Sequence, residues 1–171
     1  AAMGNSDYRN CVVFHSLSKR PNLPGLRSGF VAGDARILRG FLQYRTYHVC
    51  SMPIHHQLGS IAAWSDEQHV KTNRQQYRHK FAAVLAELEG HLPVAAPDAG
   101  FYLWLQTPIS DTAFARQLYA EENVIVLPGR FLARESAGIN PGENRVRMAL
   151  VATIEDCVEA AQRIVHRLEK F

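Results

Sequence analysis

Apolar residues along this chain recur at two periods. From Pro53 to Leu88, and again after Ile154, they return every three or four residues, the spacing of one face of a helix. Elsewhere they form short runs of strand length. The pattern predicts strands at Val12-Val13-Phe14 and Gly29–Gly33, a helix from Ala35 to about Tyr47, and a second helix that Pro53 opens and that runs through Trp64. A long helix follows, with Val70, Tyr77, Phe81, Val84, Leu85 and Leu88 on one stripe and Gly90 as its natural stop. After it come a strand at Phe101–Leu105, a helix at Asp111–Glu121, strands at Val124–Leu127 and Arg145–Leu150, and a closing helix from Ile154 to Lys170. Thr153 is placed to cap that last helix, whose buried stripe is Cys157, Ala160, Ala161, Ile164 and Leu168. Short strands alternating with helices predict an α/β fold with helices on one face of a sheet. No internal repeat and no low-complexity segment interrupts the pattern.

Between the first two strands, Pro21, Pro24 and Gly25 forbid a helix and make a shaped loop. It carries Ser16-Leu17-Ser18-Lys19 and, eight residues after the lysine, Arg27. Lys19 lies just past the end of a strand, where open α/β sheets place their ligands. A lysine attacks a carbonyl only as the neutral amine. The hydroxyls of Ser16 and Ser18 and the fork of Arg27 suit a phosphate, which arginine grips through paired, charge-assisted hydrogen bonds. A phosphorylated aldehyde such as pyridoxal 5'-phosphate needs both of its ends held in this way.

The string from His15 to Phe30, with its SLSKRPNLPGLRSGF, resembles the cofactor-lysine region of the class I/II pyridoxal-phosphate aminotransferases, and within them most closely the branch that acts on N-succinyl-diaminopimelate. The resemblance implies that Lys19 carries pyridoxal 5'-phosphate and that Arg27, with Ser16 and Ser18, holds its phosphate. Three later strings look like the same family. Pro97-Asp98-Ala99-Gly100-Phe101-Tyr102-Leu103-Trp104 is similar to the glycine-aromatic strand of the small domain, and Val126-Leu127-Pro128-Gly129-Arg130-Phe131 to the loop near the substrate entrance. Asn144-Arg145-Val146-Arg147-Met148-Ala149-Leu150 looks like the strand whose arginine clamps the substrate's α-carboxylate.

Strand alternation bears on this last string independently. Val146, Met148 and Leu150 share one face and suit a core, which leaves Arg145, Arg147 and Ala149 on the other. The family pattern selects Arg147 as the clamp and leaves Arg145 structural. Arg130 is a further candidate, for a distal carboxylate.

The net charge of +3 is too small to imply nucleic acid, and the cluster Lys71, Arg74, Arg78, His79 and Lys80 reads as the solvated face of the long helix. Cys11, Cys50 and Cys157 are odd in number, far apart and without a C-x-x-C pair, which argues against a disulfide framework or structural zinc and points to a reducing cytoplasm. Among the eight histidines, the neighbours His55 and His56 point to different sides of any regular element and are poorly placed to share a metal. His15 reads as a packed side chain. No apolar run approaches membrane-spanning length, and Ala1–Asn5 has neither part of a signal peptide.

The resemblance also implies a fold of type I, here its C-terminal part: residues 1–50 as the edge of the large cofactor-binding domain, and 51–171 as the complete small domain with the long interdomain helix. Only eighteen residues precede Lys19, so the family's ring-nitrogen aspartate, ring-oxygen tyrosine and asparagine, and stacked aromatic are expected outside this chain. Asp7 and Tyr8 lie too close to Lys19 to replace them and read as loop residues. The expected activity is that of a homodimeric cytoplasmic aminotransferase of lysine biosynthesis, exchanging an amino group between N-succinyl-LL-2,6-diaminopimelate and 2-oxoglutarate, with no nucleic-acid or membrane partner. The alternatives are an aspartate or aromatic aminotransferase, a carbon–sulfur lyase, or a truncated module inactive by itself.

Overall fold

The computed structural model describes residues 8–49 and 51–171. Asp7 and Cys50 lie outside the described residues. Tyr8 opens a turn that the Cys11 N–H closes onto its carbonyl at 2.9 Å. The packing forms two compact units, Ala1–Arg74 and Gln75–Phe171, whereas the family resemblance divides the chain after residue 50.

In the first unit, β1 (Val12–Ser16) pairs antiparallel with β2 (Gly29–Gly33), Val12 opposite Gly33 and Ser16 opposite Gly29. Gly33 ends the ladder at φ +145°, and a Cβ there would sit 2.1 Å from the Cys11 carbonyl oxygen, so only glycine fits. The loop between the strands is not wholly irregular: Pro24–Leu26 make one 3-10 turn, which proline tolerates at its start. Buried Leu17 plugs the loop, donating its N–H to Ser28 O at 3.0 Å and accepting that of Leu23 at 2.9 Å.

Asp34 starts α1 (Ala35–His48) by accepting the Arg36 N–H at 2.8 Å, and the same carboxylate takes the Asn10 N–H at 2.8 Å. Pro53 precedes α2 (Ile54–Ser65), and α3 spans Glu67–Leu88. One face of the hairpin meets α2, with Phe30 between His15 (5.2 Å, stacked) and Trp64 (4.9 Å, edge-on), while Phe14 meets Phe41 of α1 at 6.4 Å. His15 stacks on Phe30 but stays exposed, so it is not the packed side chain that its place on the strand predicted.

The second unit holds an antiparallel sheet of order β3-β5-β4, with β3 at Tyr102–Gln106, β4 at Leu127–Pro128 and β5 at Arg145–Ala149. Its inner face, Leu103, Leu105, Val146, Met148 and Leu150, packs on Val84 and Leu88 of α3, on Phe114 and Leu118 of α4 (Asp111–Glu122), and on Ala161 and Ile164 of α5 (Ile154–Leu168). Helices thus cover one face. Thr153 Oγ1 caps α5 by accepting the Asp156 N–H at 3.2 Å, and Gly90, at φ +80°, follows the end of α3.

Several expected bounds need correction: the first strand runs on to Ser16, the last ends at Ala149 and the closing helix at Leu168. The strand read at Val124–Leu127 shrinks to Leu127–Pro128: Val124 and Val126 are buried, but the Val124 N–H closes the end of α4 on Leu118 O at 3.0 Å instead of joining the ladder. The strand read from Phe101 begins one residue later, although the Phe101 carbonyl still accepts the Leu150 N–H at 2.9 Å.

Candidate active site

Where β1 ends, the chain turns sharply. Ser16 Oγ accepts the Ser18 N–H at 3.1 Å and donates to Ser28 O at 3.4 Å, and the N–H groups of Lys19 and Arg20 both point to Ser16 O at 3.3 Å. Ser16 therefore shapes the turn from behind. Ser18 and Lys19 follow it outward, Lys19 with an exposed side chain.

Arg27 comes back to this turn from the far end of the loop. Its backbone adopts φ +47°, a left-handed conformation uncommon outside glycine and asparagine, and its Nη1 donates to Pro24 O at 3.0 Å and reaches Ser18 Oγ at 3.5 Å. Local constraint thus delivers a guanidinium to the hydroxyl next to Lys19. Such strain is held where the surroundings over-determine it. One hydroxyl and one guanidinium beside an amine form a donor set that fits a phosphate joined to an aldehyde.

The stretch after Lys19 is anchored from a distance. Arg20 forms an ion pair with Glu67 in the first turn of α3, and its guanidinium carbon lies 5.8 Å from the Trp64 ring. The hydrogen bond from Arg20, reinforced by its charge, draws the Glu67 carboxyl below its ordinary range. His69 Nε2 donates to Pro21 O at 2.7 Å. Sequence reasoning missed Glu67, His69 and Trp64, since no spacing rule links a loop to a helix start more than forty residues on.

In the second unit, Arg147 stands where strand alternation predicted, on the open face of the sheet with Arg145 and Ala149. Trp104 faces it across β3 and Leu127 across β4. No hydrogen bond or ion pair to another described residue engages its guanidinium, which lies against the rings of Tyr102 and Phe101.

Arg130 is different. Its Nε donates to Asp111 Oδ1 at 2.7 Å, its backbone N–H to Asp111 Oδ2 at 3.0 Å, and Nη2 lies 3.7 Å from Glu143. Asp111 is fully buried. Burial pushes its carboxyl up, but the Arg130 N–H and guanidinium outweigh this and leave it below the usual range. The guanidinium expected to read a distal carboxylate is thus occupied by one from its own chain. The Arg130 loop is also locked by backbone contact, since a Cβ on Gly129 would lie 2.3 Å from Gly142 O.

Among the described residues, no group of three or more histidine, cysteine or acidic side chains is disposed to hold a metal, and no helix is long and apolar enough to cross a membrane. Cys11 and Cys157 are free thiols, and burial pushes that of Cys157 up.

The family described as aminotransferase class I and II matches residues 2–164. A probable aminotransferase of Mycobacterium tuberculosis is 33% identical over 94% of this chain and 37% of its own length. An LL-diaminopimelate aminotransferase of Maridesulfovibrio salexigens is 30% identical over 90% of this chain and 39% of its own. Among solved structures, an aminotransferase from Neisseria meningitidis superposes with a TM-score of 0.89 at 54% identity, covering 94% of this chain and 41% of that one. A probable N-succinyldiaminopimelate aminotransferase from Thermus thermophilus gives 0.81 at 30%, covering 95% and 43%. The chain thus spans about two fifths of the length of the relatives it matches.

Proposed function

We propose, from the premise that this chain belongs to the class I and II aminotransferases, that the whole protein moves an amino group between an amino acid and a 2-oxo acid, with N-succinyl-LL-2,6-diaminopimelate as donor and 2-oxoglutarate as exchange partner. The observation that carries the reading is the meeting of Ser18 and Arg27 (3.5 Å) beside Lys19 at the end of β1. The donor identity is supported by the similarity to LL-diaminopimelate aminotransferases and to the probable N-succinyldiaminopimelate aminotransferase. In the same reading, residues 1–50 belong to the edge of the large cofactor-binding domain and 51–171 to the small domain. A second copy of the protein is the partner, supported by the exposed stripe Ile54, Leu58 and Ile61 on α2.

The family depends on pyridoxal 5'-phosphate, which when bound supplies the electron sink that makes a proton on the substrate's α-carbon removable. Ser18 and Arg27 would hold the phosphate, with Ser16 setting the turn that presents them. Lys19 would carry the cofactor and serve as general base and general acid for the substrate's α-proton. Arg147 would grip the α-carboxylate with two parallel hydrogen bonds and so fix the orientation of that group.

The test is a donor panel on the whole protein with Lys19→Ala as its control. N-succinyl-diaminopimelate should outpace aspartate and aromatic donors in forming glutamate from 2-oxoglutarate. Lys19→Ala should abolish both glutamate formation and the absorbance of covalently held cofactor. Release of ammonia and pyruvate in place of exchange would make the protein a lyase, and turnover surviving in Lys19→Ala would end the assignment.

A further inference from the structure

Arg147 is held in an unusual way for this molecule. Arg130 uses its guanidinium on Asp111 and Glu143, Arg163 on Glu159 and the Glu122 carbonyl, and Arg167 on Gln117 and Glu121. Arg147 instead has its guanidinium carbon 4.6 Å from the centroid of the Tyr102 ring and 5.5 Å from that of Phe101. Those two rings stand perpendicular to each other, at 87° with centroids 5.7 Å apart. The Arg147 Nε is closed off from solvent and bonded to no described residue. An N–H taken from water without an acceptor is unfavourable, and the negative face of an aromatic ring beside it offsets that loss.

The strand register produces this placement. Tyr102 stands opposite Ala149, so its ring is diagonal to Arg147 on the same open face, a separation that an aromatic and a long side chain bridge. Directly opposite, Trp104 and Leu127 flank the arginine with apolar surface on both neighbouring strands. An arginine held by carboxylates would spend the donors that a substrate carboxylate needs. One held by ring faces keeps them.

We propose that Tyr102, seconded by Phe101, is the positioning residue of the carboxylate clamp: its ring sets the plane of the Arg147 guanidinium without consuming the fork's hydrogen-bond donors. This rests on the reading of Arg147 as the residue that binds the α-carboxylate. Tyr102 does not touch the reacting atoms. The aromatic face matters and the hydroxyl does not, so phenylalanine substitutes for it and an aliphatic side chain does not.

The experiment compares Tyr102→Leu, Tyr102→Phe and Arg147→Met in the whole cofactor-loaded protein. L-glutamate is the donor, and 4-aminobutyrate, the same molecule without the α-carboxylate, is the competing ligand. Tyr102→Leu should raise KM for glutamate about two- to thirtyfold, the range that a cation–π contact converts to, with kcat changed less and the inhibition constant of 4-aminobutyrate unmoved. Tyr102→Phe should restore the glutamate KM. If Arg147→Met weakens glutamate and Tyr102→Leu does not, the positioning role is wrong and the clamp stands. If Arg147→Met leaves glutamate binding intact, the clamp reading itself fails and takes the proposal with it. If Tyr102→Leu weakens glutamate and 4-aminobutyrate equally, the ring shapes the site in general and the proposal is overturned. Should Tyr102→Leu fail to fold, Tyr102→Gln, which lacks the ring, carries the same comparison.

Discussion

Arg20 and Glu67, forty-seven residues apart in sequence, form an ion pair that ties the residue after Lys19 to the first turn of α3. Its partners are more than half exposed on the Glu67 side, so its contribution to global stability is small. Its consequence is positional. Glu67→Gln in the whole protein should leave the melting temperature nearly unchanged and lower kcat by up to about a hundredfold, the scale of a 1 Å misplacement at a reacting group. Steady-state kinetics beside a thermal melt checks this, and an unaltered kcat would show that the Lys19 loop keeps its place without the anchor.

Arg27 touches Ser18 and the turn, and nothing in its surroundings relates it to the substrate's side chain. Arg27→Ala in the whole protein should weaken cofactor retention by about 1.5–3 kcal/mol, the worth of one charged hydrogen-bonding group, while the order of preferred donors stays as it was. Equilibrium dialysis against pyridoxal 5'-phosphate measures the first and the donor panel the second. Retained cofactor affinity with collapsed donor affinity would move Arg27 to the substrate.

Asp111 holds Arg130 from full burial, but the arginine side chain is 36% exposed and can rehydrate when released. Asp111→Ala should therefore cost less than the 3–5 kcal/mol typical of breaking a fully buried pair, about 1–3 kcal/mol, read as a lowered urea midpoint. Arg130→Ala should shift stability in the same direction and leave donor selectivity alone. A changed donor preference in Arg130→Ala would mean that the guanidinium leaves Asp111 for a substrate carboxylate.

Asp34 and Asp111 both have carboxyls held below their ordinary value of 3.8, Asp34 chiefly by the Arg36 side chain and then by the Asn10 and Arg36 N–H groups. A carboxyl depressed in the folded state contributes its stabilisation above the unfolded value and loses it as pH falls toward the folded one. The chain should lose stability below about pH 3.8, and Asp34→Asn should flatten that slope in the first unit alone. The two tryptophans separate the responses: Trp64 reports the first unit in a Trp104→Phe background, and Trp104 the second in Trp64→Phe. Equal flattening at both would contradict a local origin.

Several features were legible in the amino-acid order because their causes are local. Gly29–Gly33 is a strand with the bounds read from it, Thr153 caps α5 through its own side chain, and alternation alone put Val146 and Met148 inward and Arg147 outward. The proline and glycine of one short loop marked a shaped segment, and in it Arg27 Nη1 comes back to Ser18 Oγ at 3.5 Å. What tertiary structure decided involves partners that no period encodes. Val124 to Val126 alternates like a strand but makes no ladder, since pairing depends on which edge is offered, and here the Val124 N–H goes to the end of α4. Arg130 and Arg147 look alike as exposed cations near apolar residues. Asp111 engages one and the rings of Tyr102 and Phe101 hold the other. A sequence period states which side a residue takes, and only the packing of distant segments states what stands there to meet it.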